Sequence, residues 1–320
     1  MGPVTTLPPA PPGREPPEPS LAHFWQPRYW GLWLGIGLLR VTVLLPYPAL
    51  MALGRGLGRL FLLALPGRRH VAAVNLRLCF PDASEGQRAT WLREHFQSLG
   101  MAVFDLGLAI WGTPARIARL VHFTGLEHLA AARADGQGVV LLTGHFPAAE
   151  LGGHELQARL GRIAALYRPA RNPLVDEILR RSRAKATERL IPKDQSRQLI
   201  RALRQGYTVY FAPDQSYRRS NSALLPFFGE PAMTNTALTP IVRLSGAKVV
   251  PLLTRRRADG TGYDALLLPA WTGFPGESPE ADARRVNELL EGWIREAPGQ
   301  YYWIHRRFKG RPAPLPDPYA

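Results

Sequence analysis

Cysteine is almost missing from this chain: Cys79 is the only one in 320 residues. No intramolecular disulfide can form, and no thiolate zinc cluster can be built. Cys79 sits inside the apolar run "LRLCFP" with no base beside it, so it reads as a small core residue rather than a nucleophile. Lysine is nearly as scarce. Only four of the 40 basic residues are lysines (Lys185, Lys193, Lys248, Lys309), and the rest are arginines. Acidic residues number 25, which leaves a formal charge of +15. That excess suits anionic partners such as membrane phosphates, nucleic acid or an acidic carrier. An arginine-, alanine-, glycine- and proline-rich composition also follows from a GC-rich genome, so charge alone assigns no partner. Three motifs are missing as well. Without G-x-S-x-G there is no serine nucleophile elbow. The RNP-like aromatic motif and the zinc knuckle of common RNA readers are absent. No internal repeat period is visible.

What is present supports a packed core, since 46% of the residues are hydrophobic. Residues 1–20, "MGPVTTLPPAPPGREPPEPS", are proline-rich and predict an unstructured tail. The opening "MGPVTT" matches the myristoylation pattern only in form, with Pro3 against it. Residues 29–53, "YWGLWLGIGLLRVTVLLPYPALMAL", form the most apolar stretch. Its length suffices to span a bilayer, which takes ~20 residues. Arg40, Pro46 and Pro48 interrupt it, so a helix lying in the plane of the interface also fits. Trp25, Tyr29, Trp30 and Trp33 cluster at its start like an aromatic belt, and Arg55, Arg59, Arg68 and Arg69 follow it. This order predicts membrane attachment over residues 21–66, with the bulk of the protein on the cytoplasmic side. A buried helical hairpin is the alternative.

Residues 67–111 read as helices, with Pro81 and Asp82 as the break, and Trp91, Phe96, Leu99, Val103, Leu106 and Ile110 form one broad stripe. From about residue 121 strands alternate with helices. Strands are expected at 138–143, 162–169, 207–213, "AKVVPLL" and "GYDALLLPA", with helices between them and a last helix in "ADARRVNELLEGWIREAP". This alternation predicts an α/β fold with a largely parallel central sheet flanked by helices. Sites in such sheets form at the carboxyl ends of strands. The expected organisation is a tail (1–20), a membrane-associated segment (21–66), a catalytic domain (67–310) and a short tail (311–320).

The stretch "LLTGHFPAAELGGHEL" places His145 and Glu150 five positions apart across Pro147. On a helix five residues turn through about 500°, which leaves the side chains roughly 140° apart. On a strand an odd separation sends them to opposite faces. A turn between strand and helix would let Glu150 reach back to the imidazole, fix its tautomer and raise its basicity. The same spacing also suits a helix-capping loop with an incidental histidine. A zincin reading needs H-E-x-x-H, and after His154-Glu155 the required position holds Ala158. Two further strand ends carry charge: Arg168 in "YRP" and Asp214 in "APD". Arg168 could hold a phosphate or an oxyanion, and Asp214 could hold Arg168 or assist His145.

Taken in order, "VNLRLCFPDASEGQRATWLREHF", "GHFPAAE", "YRPARNP", "YFAPDQSY", "LPFFGEPAMTNTA" and "YYWIHRRFKGRP" resemble the bacterial lipid A late acyltransferases, lauroyl and myristoyl transferases of the H-x₄-D/E acyltransferase group. The resemblance spans about residues 30–312. It implies a glycerolipid-acyltransferase-like fold and an enzyme that acylates a hydroxyacyl chain of a lipid A precursor at the inner membrane. His145 and Glu150 match the family's catalytic pair, and Arg168 and Asp214 its further charges. "HRRFKGRP" matches a signature assigned to structure or phosphate contact. The loop "PAAELGGHEL" is richer in alanine and glycine than the family pattern, which bears on chain-length and acceptor preference.

With no nucleophile elbow, the expected reaction is direct transfer from an acyl thioester, its carrier an acyl carrier protein, without metal or organic cofactor. His145 would act as general base and Glu150 would stabilise the imidazolium. Backbone N–H groups at the helix start, or Arg168, would hold the oxyanion. Three other readings share these residues: transfer to another membrane glycolipid, a thioesterase using the dyad to activate water, and a non-catalytic binder of anionic lipid or RNA.

Overall fold

The computed structural model describes residues 20–320 apart from Arg168, Lys193 and Arg219. The proline-rich tail therefore lies outside the described residues except for Ser20, whose Oγ accepts the Ala22 N–H at the head of a short 3₁₀ turn. Five helices come first: α1 (Trp30–Thr42), α2 (Tyr47–Ala64), α3 (Pro66–Cys79), α4 (Glu85–Trp111) and α5 (Pro114–Leu120). The α/β part follows as β1 (Val121–Thr124), α6 (Leu126–Arg133), β2 (Val139–Leu142), α7 (Ala149–Leu160), β3 (Ile163–Tyr167), α8 (Pro173–Ala186) and β4 (Arg189–Pro192). Next come α9 (Ser196–Arg204), β5 (Thr208–Phe211), β6 (Ser222–Phe227), β7 (Glu230–Asn235), α10 (Leu238–Ser245), β8 (Lys248–Arg256), β9 (Tyr263–Leu267) and α11 (Pro279–Glu296).

Seven strands form one sheet in the order β1-β9-β8-β2-β5-β3-β4. Strand β2, "VVLL", is buried at every residue, as a continuous apolar run in a central parallel strand should be. It pairs in parallel with β5 on one side and β8 on the other. The fold class expected from the alternation is the one found. Two details differ. Strand β9 runs antiparallel to β8, because the short link Arg257–Gly262 leaves no room for a crossover. The edge strands β1 and β4 and the hairpin β6–β7 escape the sequence pattern. Both edge strands have only four residues, and the hairpin places Pro226 opposite Pro231. Its two-residue turn, Phe228-Gly229, has φ of 53° and 80°, the geometry that matches strand twist.

The apolar run 29–53 is not one helix. It breaks after Thr42, and α2 starts behind Pro46 with Pro48 in its first turn. Among the described residues no single helix is long and apolar enough to cross a membrane, and α2 with α3 bends by 96°. Trp30, Leu34, Leu38 and Val41 repeat at helical spacing on α1, and all four are exposed. Helix α4 is enclosed by its neighbours. Phe96, Gly100, Phe104 and Leu108 form its buried seam, while Leu106 of the expected stripe lines the cavity described below. Gly100 permits the α2–α4 crossing, since a Cβ there would lie 2.1 Å from the Gly54 carbonyl oxygen. Residues 311–320 are docked on the core through buried Tyr319, whose hydroxyl donates to Asn75 Oδ1 at 2.5 Å.

Candidate active site

Parallel pairing of β2 with β5 sets Leu142 beside Phe211, and the Thr143 N–H extends the ladder to the Phe211 carbonyl at 3.0 Å. Each chain then runs three residues further, one to His145 and the other to Asp214. The two side chains meet there. Asp214 Oδ1 lies 2.6 Å from His145 Nδ1, and Oδ2 accepts the His145 backbone N–H at 2.9 Å. The hydroxyl of Tyr301 donates to the same Oδ2, also at 2.9 Å. Asp214 is thus fully buried behind a histidine whose side chain is 40% exposed. With Nδ1 engaged by the carboxylate, the ring tautomer is set and Nε2 is the nitrogen left for a substrate.

The electrostatics follow from that arrangement. Burial alone would lower the imidazole pKa, but the Asp214 carboxylate outweighs it and raises it above the ordinary value. Burial likewise pulls on Asp214, yet His145 and the hydrogen bonds hold it down to about 2. Tyr301 is pushed up by burial and by the adjacent carboxylate, so it keeps its proton and donates.

The expected bond between His145 and Glu150 is not the one formed. Glu150 stands in the first turn of α7, as expected. No hydrogen bond joins it to His145 among the described residues, and Asp214 occupies the place assigned to it. The helix starts at Ala149, after a turn in which the Ala149 N–H bonds the Phe146 carbonyl at 3.0 Å. Glu150 instead faces the same cavity as His145 and acts electrostatically on Tyr210 and His154. Arg168, one residue past β3, lies outside the described residues. The loop that carries it is pinned by Asp176, which accepts the Tyr167 hydroxyl and, at 2.6 Å, the Ala170 N–H.

The cavity beside His145 has a volume of about 650 Å³, within the usual range for small-ligand sites. Apolar side chains dominate its walls, among them Leu106 from α4, Phe146, Leu166 and Leu179. Among the described residues no group of three or more His, Cys, Asp or Glu side chains is placed to hold a metal ion. Cys79 lies in the core with its thiol pKa pushed up by burial.

The carboxy-terminal segment backs the site. Asn75 Nδ2 donates to the carbonyls of Trp303 and His305 at 2.7 and 2.8 Å, and the Tyr302 N–H donates to the His145 carbonyl at 3.1 Å. His305 Nε2 accepts the Ser216 N–H at 3.1 Å, two residues past Asp214. Arg307 is buried and donates to the Met233 carbonyl and Thr234 Oγ1, both at 2.9 Å. It therefore ties the hairpin to the core from within "HRRFKGRP". Tyr301 is the site residue that the sequence reading missed. Its only signal is its place in the aromatic run "QYYWIH".

Residues 19–310 match the family of bacterial lipid A biosynthesis acyltransferases. The chain is 38% identical over 294 residues to the lipid A biosynthesis lauroyltransferase of Escherichia coli K12, covering 92% of this chain and 96% of that protein. Identity to the lipid A biosynthesis palmitoleoyltransferase of the same strain is also 38%, over 291 residues, covering 91% and 94%. The crystal structure of a 1-acyl-sn-glycerophosphate acyltransferase from Thermotoga maritima is alike at a TM-score of 0.35 and 15% identity, covering 78% of this chain and 96% of that one. The family match, over residues 19–310, includes the strand ends that carry His145 and Asp214, and the chain belongs to the bacterial lipid A biosynthesis acyltransferase family.

Proposed function

We propose that this acyltransferase moves a fatty acyl group from a thioester, carried by an acyl carrier protein, to a hydroxyl on a hydroxyacyl chain of a lipid A precursor. The observation that carries the reading is His145, with Nδ1 held by buried Asp214 and Nε2 left to the cavity. In the reaction Nε2 removes the proton of the acceptor hydroxyl as its oxygen attacks the thioester carbonyl. The tetrahedral intermediate collapses with cleavage of the C–S bond, and the imidazolium returns its proton to the departing thiolate. Asp214 stabilises the imidazolium, the part first expected of Glu150. Glu150 orients the acceptor hydroxyl from the head of α7, where N–H groups and Arg168 are the candidates to hold the oxyanion. The two relatives of equal identity are named for different acyl groups, so overall identity does not select chain length.

The protein works at the cytoplasmic face of the inner membrane, with α1 lying in the interface. The exposed row Trp30, Leu34, Leu38 and Val41 supports this, because an apolar stripe of that length is costly in water. The test is transfer by the purified full chain from an acyl-acyl carrier protein to a lipid A precursor in mixed micelles, read by mass spectrometry. The acceptor should gain one acyl chain with wild type and none with His145→Ala. Free fatty acid without acylated acceptor would make the protein a thioesterase, and normal turnover in His145→Ala would remove the mechanism.

A further inference from the structure

The cavity changes character along its length. Helix α7 lies along one wall and presents Glu150, Gly153, His154 and Gln157 at successive turns. Glu150 stands beside the strand end that carries His145, and Gln157 lies about 10 Å further along the helix. On this stretch two polar atoms, His154 Nε2 and the Tyr210 hydroxyl, are buried with no hydrogen-bond partner among the described residues. Both residues line the cavity. Arg183 and Thr187, near the end of α8, line it too. The Arg183 charge acts on His154, and among the described residues no carboxylate pairs with it. A plain alkyl chain in this stretch would leave two buried polar atoms and a cation unanswered, which is unfavourable. The occupant that answers them has hydrogen-bonding groups along its length and an anion at its far end.

The arrangement of α8 gives the direction. Its first turn carries Leu174, which packs with Phe24 and Tyr29 of the amino-terminal segment, next to Leu32, Trp33 and Ile36 on the covered face of α1. Arg183 sits nine residues on, about 13 Å along the helix from that end. A membrane-borne acceptor entering past α1 and a donor entering past Arg183 would reach His145 from different ends.

We infer that the stretch of cavity from His154 and Tyr210 to Arg183 is the binding track for the phosphopantetheine arm of the acyl donor. The thioester lies at the His145 end. The amides and hydroxyl of the arm meet His154 and Tyr210, and its phosphate pairs with Arg183. This rests on the thioester-donor reading above.

The experiment compares three donors carrying one and the same acyl group: the acyl thioesters of 4′-phosphopantetheine, pantetheine and N-acetylcysteamine. The full-length protein and its Arg183→Ala and His154→Leu variants are assayed for kcat/KM with each, and thermal melts check folding. Wild type should prefer the phosphorylated donor over pantetheine by about ten-fold or more, the worth of a charge-assisted pair. Arg183→Ala should bring that ratio to about one, and Arg183→Lys should restore part of it. His154→Leu should reduce the preference for pantetheine over N-acetylcysteamine while keeping the phosphate preference. An Arg183→Ala ratio equal to wild type overturns the track. So does a variant that keeps the donor ratios and changes the preferred acyl length, since the stretch would then hold the acyl chain. Transfer by wild type from none of the three donors would remove the thioester reading itself, and the track with it.

Discussion

At the scale of single residues, the chemistry rests on which carboxylate holds the imidazole. His145 must be neutral to accept a proton, and Asp214 raises its pKa. Activity should therefore fall as pH drops through a midpoint above ~6.5, the ordinary histidine value. In Asp214→Asn the raising charge is gone while burial remains, so the midpoint should move to lower pH. Turnover should drop by roughly 10²–10⁴-fold, the range general-base catalysis supplies. A pH–rate profile of kcat/KM decides, and an unmoved midpoint in Asp214→Asn would refute the pairing. Glu150→Gln should lower turnover and leave that midpoint in place, because no hydrogen bond joins Glu150 to His145. Tyr301→Phe removes one hydrogen bond from Asp214, worth about 0.5–1.5 kcal/mol, so a roughly two- to ten-fold loss in turnover is expected.

At the scale of elements, α4 is the part through which the amino-terminal helices reach the site. Its Gly100 touches the backbone of α2, and Ala102 and Leu106 on the same helix wall the cavity. Asp105 of α4 also pairs with Arg256 of β8, and both are buried. Gly100→Ala should push α2 and α4 apart at a cost of about 1–3 kcal/mol, and it should lower turnover through the displaced wall. Differential scanning calorimetry and the transfer assay report the two effects. An unchanged melting temperature would mean that the crossing has slack. The existence of α4 was legible in the sequence, but its buried face was not. Trp91, Phe96, Leu99, Val103, Leu106 and Ile110 suggest a single core stripe, of which only Phe96 is fully buried. The buried seam keeps Phe96 and otherwise runs through Gly100, Phe104 and Leu108, and the glycine at the α2 crossing carries no hydrophobic signal to read.

At the scale of the whole molecule, the chain joins a carboxyl-end sheet site to an exposed apolar row on α1. Replacing Leu34 and Leu38 together with glutamate should weaken sedimentation with anionic vesicles, since both side chains face outward. The buried core should tolerate the change, so the melting temperature should stay near wild type. Vesicle sedimentation unchanged by the double substitution would transfer membrane contact to another surface. The packed carboxy-terminal residues make the opposite kind of contribution. Tyr319 and Asn75 link the last turn of the chain to α3, so the segment expected to be a tail is anchored in the core at Tyr319 while most of its other residues stay exposed.

The sequence by itself determined the order of strands and helices, the core place of Cys79 and the position of His145 and Asp214 just past strand ends. Those are local properties: apolar runs, helical periodicity and turn residues act over a few positions. Tertiary structure decided that Asp214, 69 residues away, holds His145 in place of Glu150, five residues away. The physical reason is sheet order. Once β2 and β5 pair in parallel with Leu142 beside Phe211, equal three-residue extensions bring the two side chains together. A neighbour in sequence must reach back across the turn that opens a helix, whereas a neighbour in the sheet is already alongside. The same holds for Tyr301, which reaches Asp214 only because the carboxy-terminal segment packs behind the strand ends.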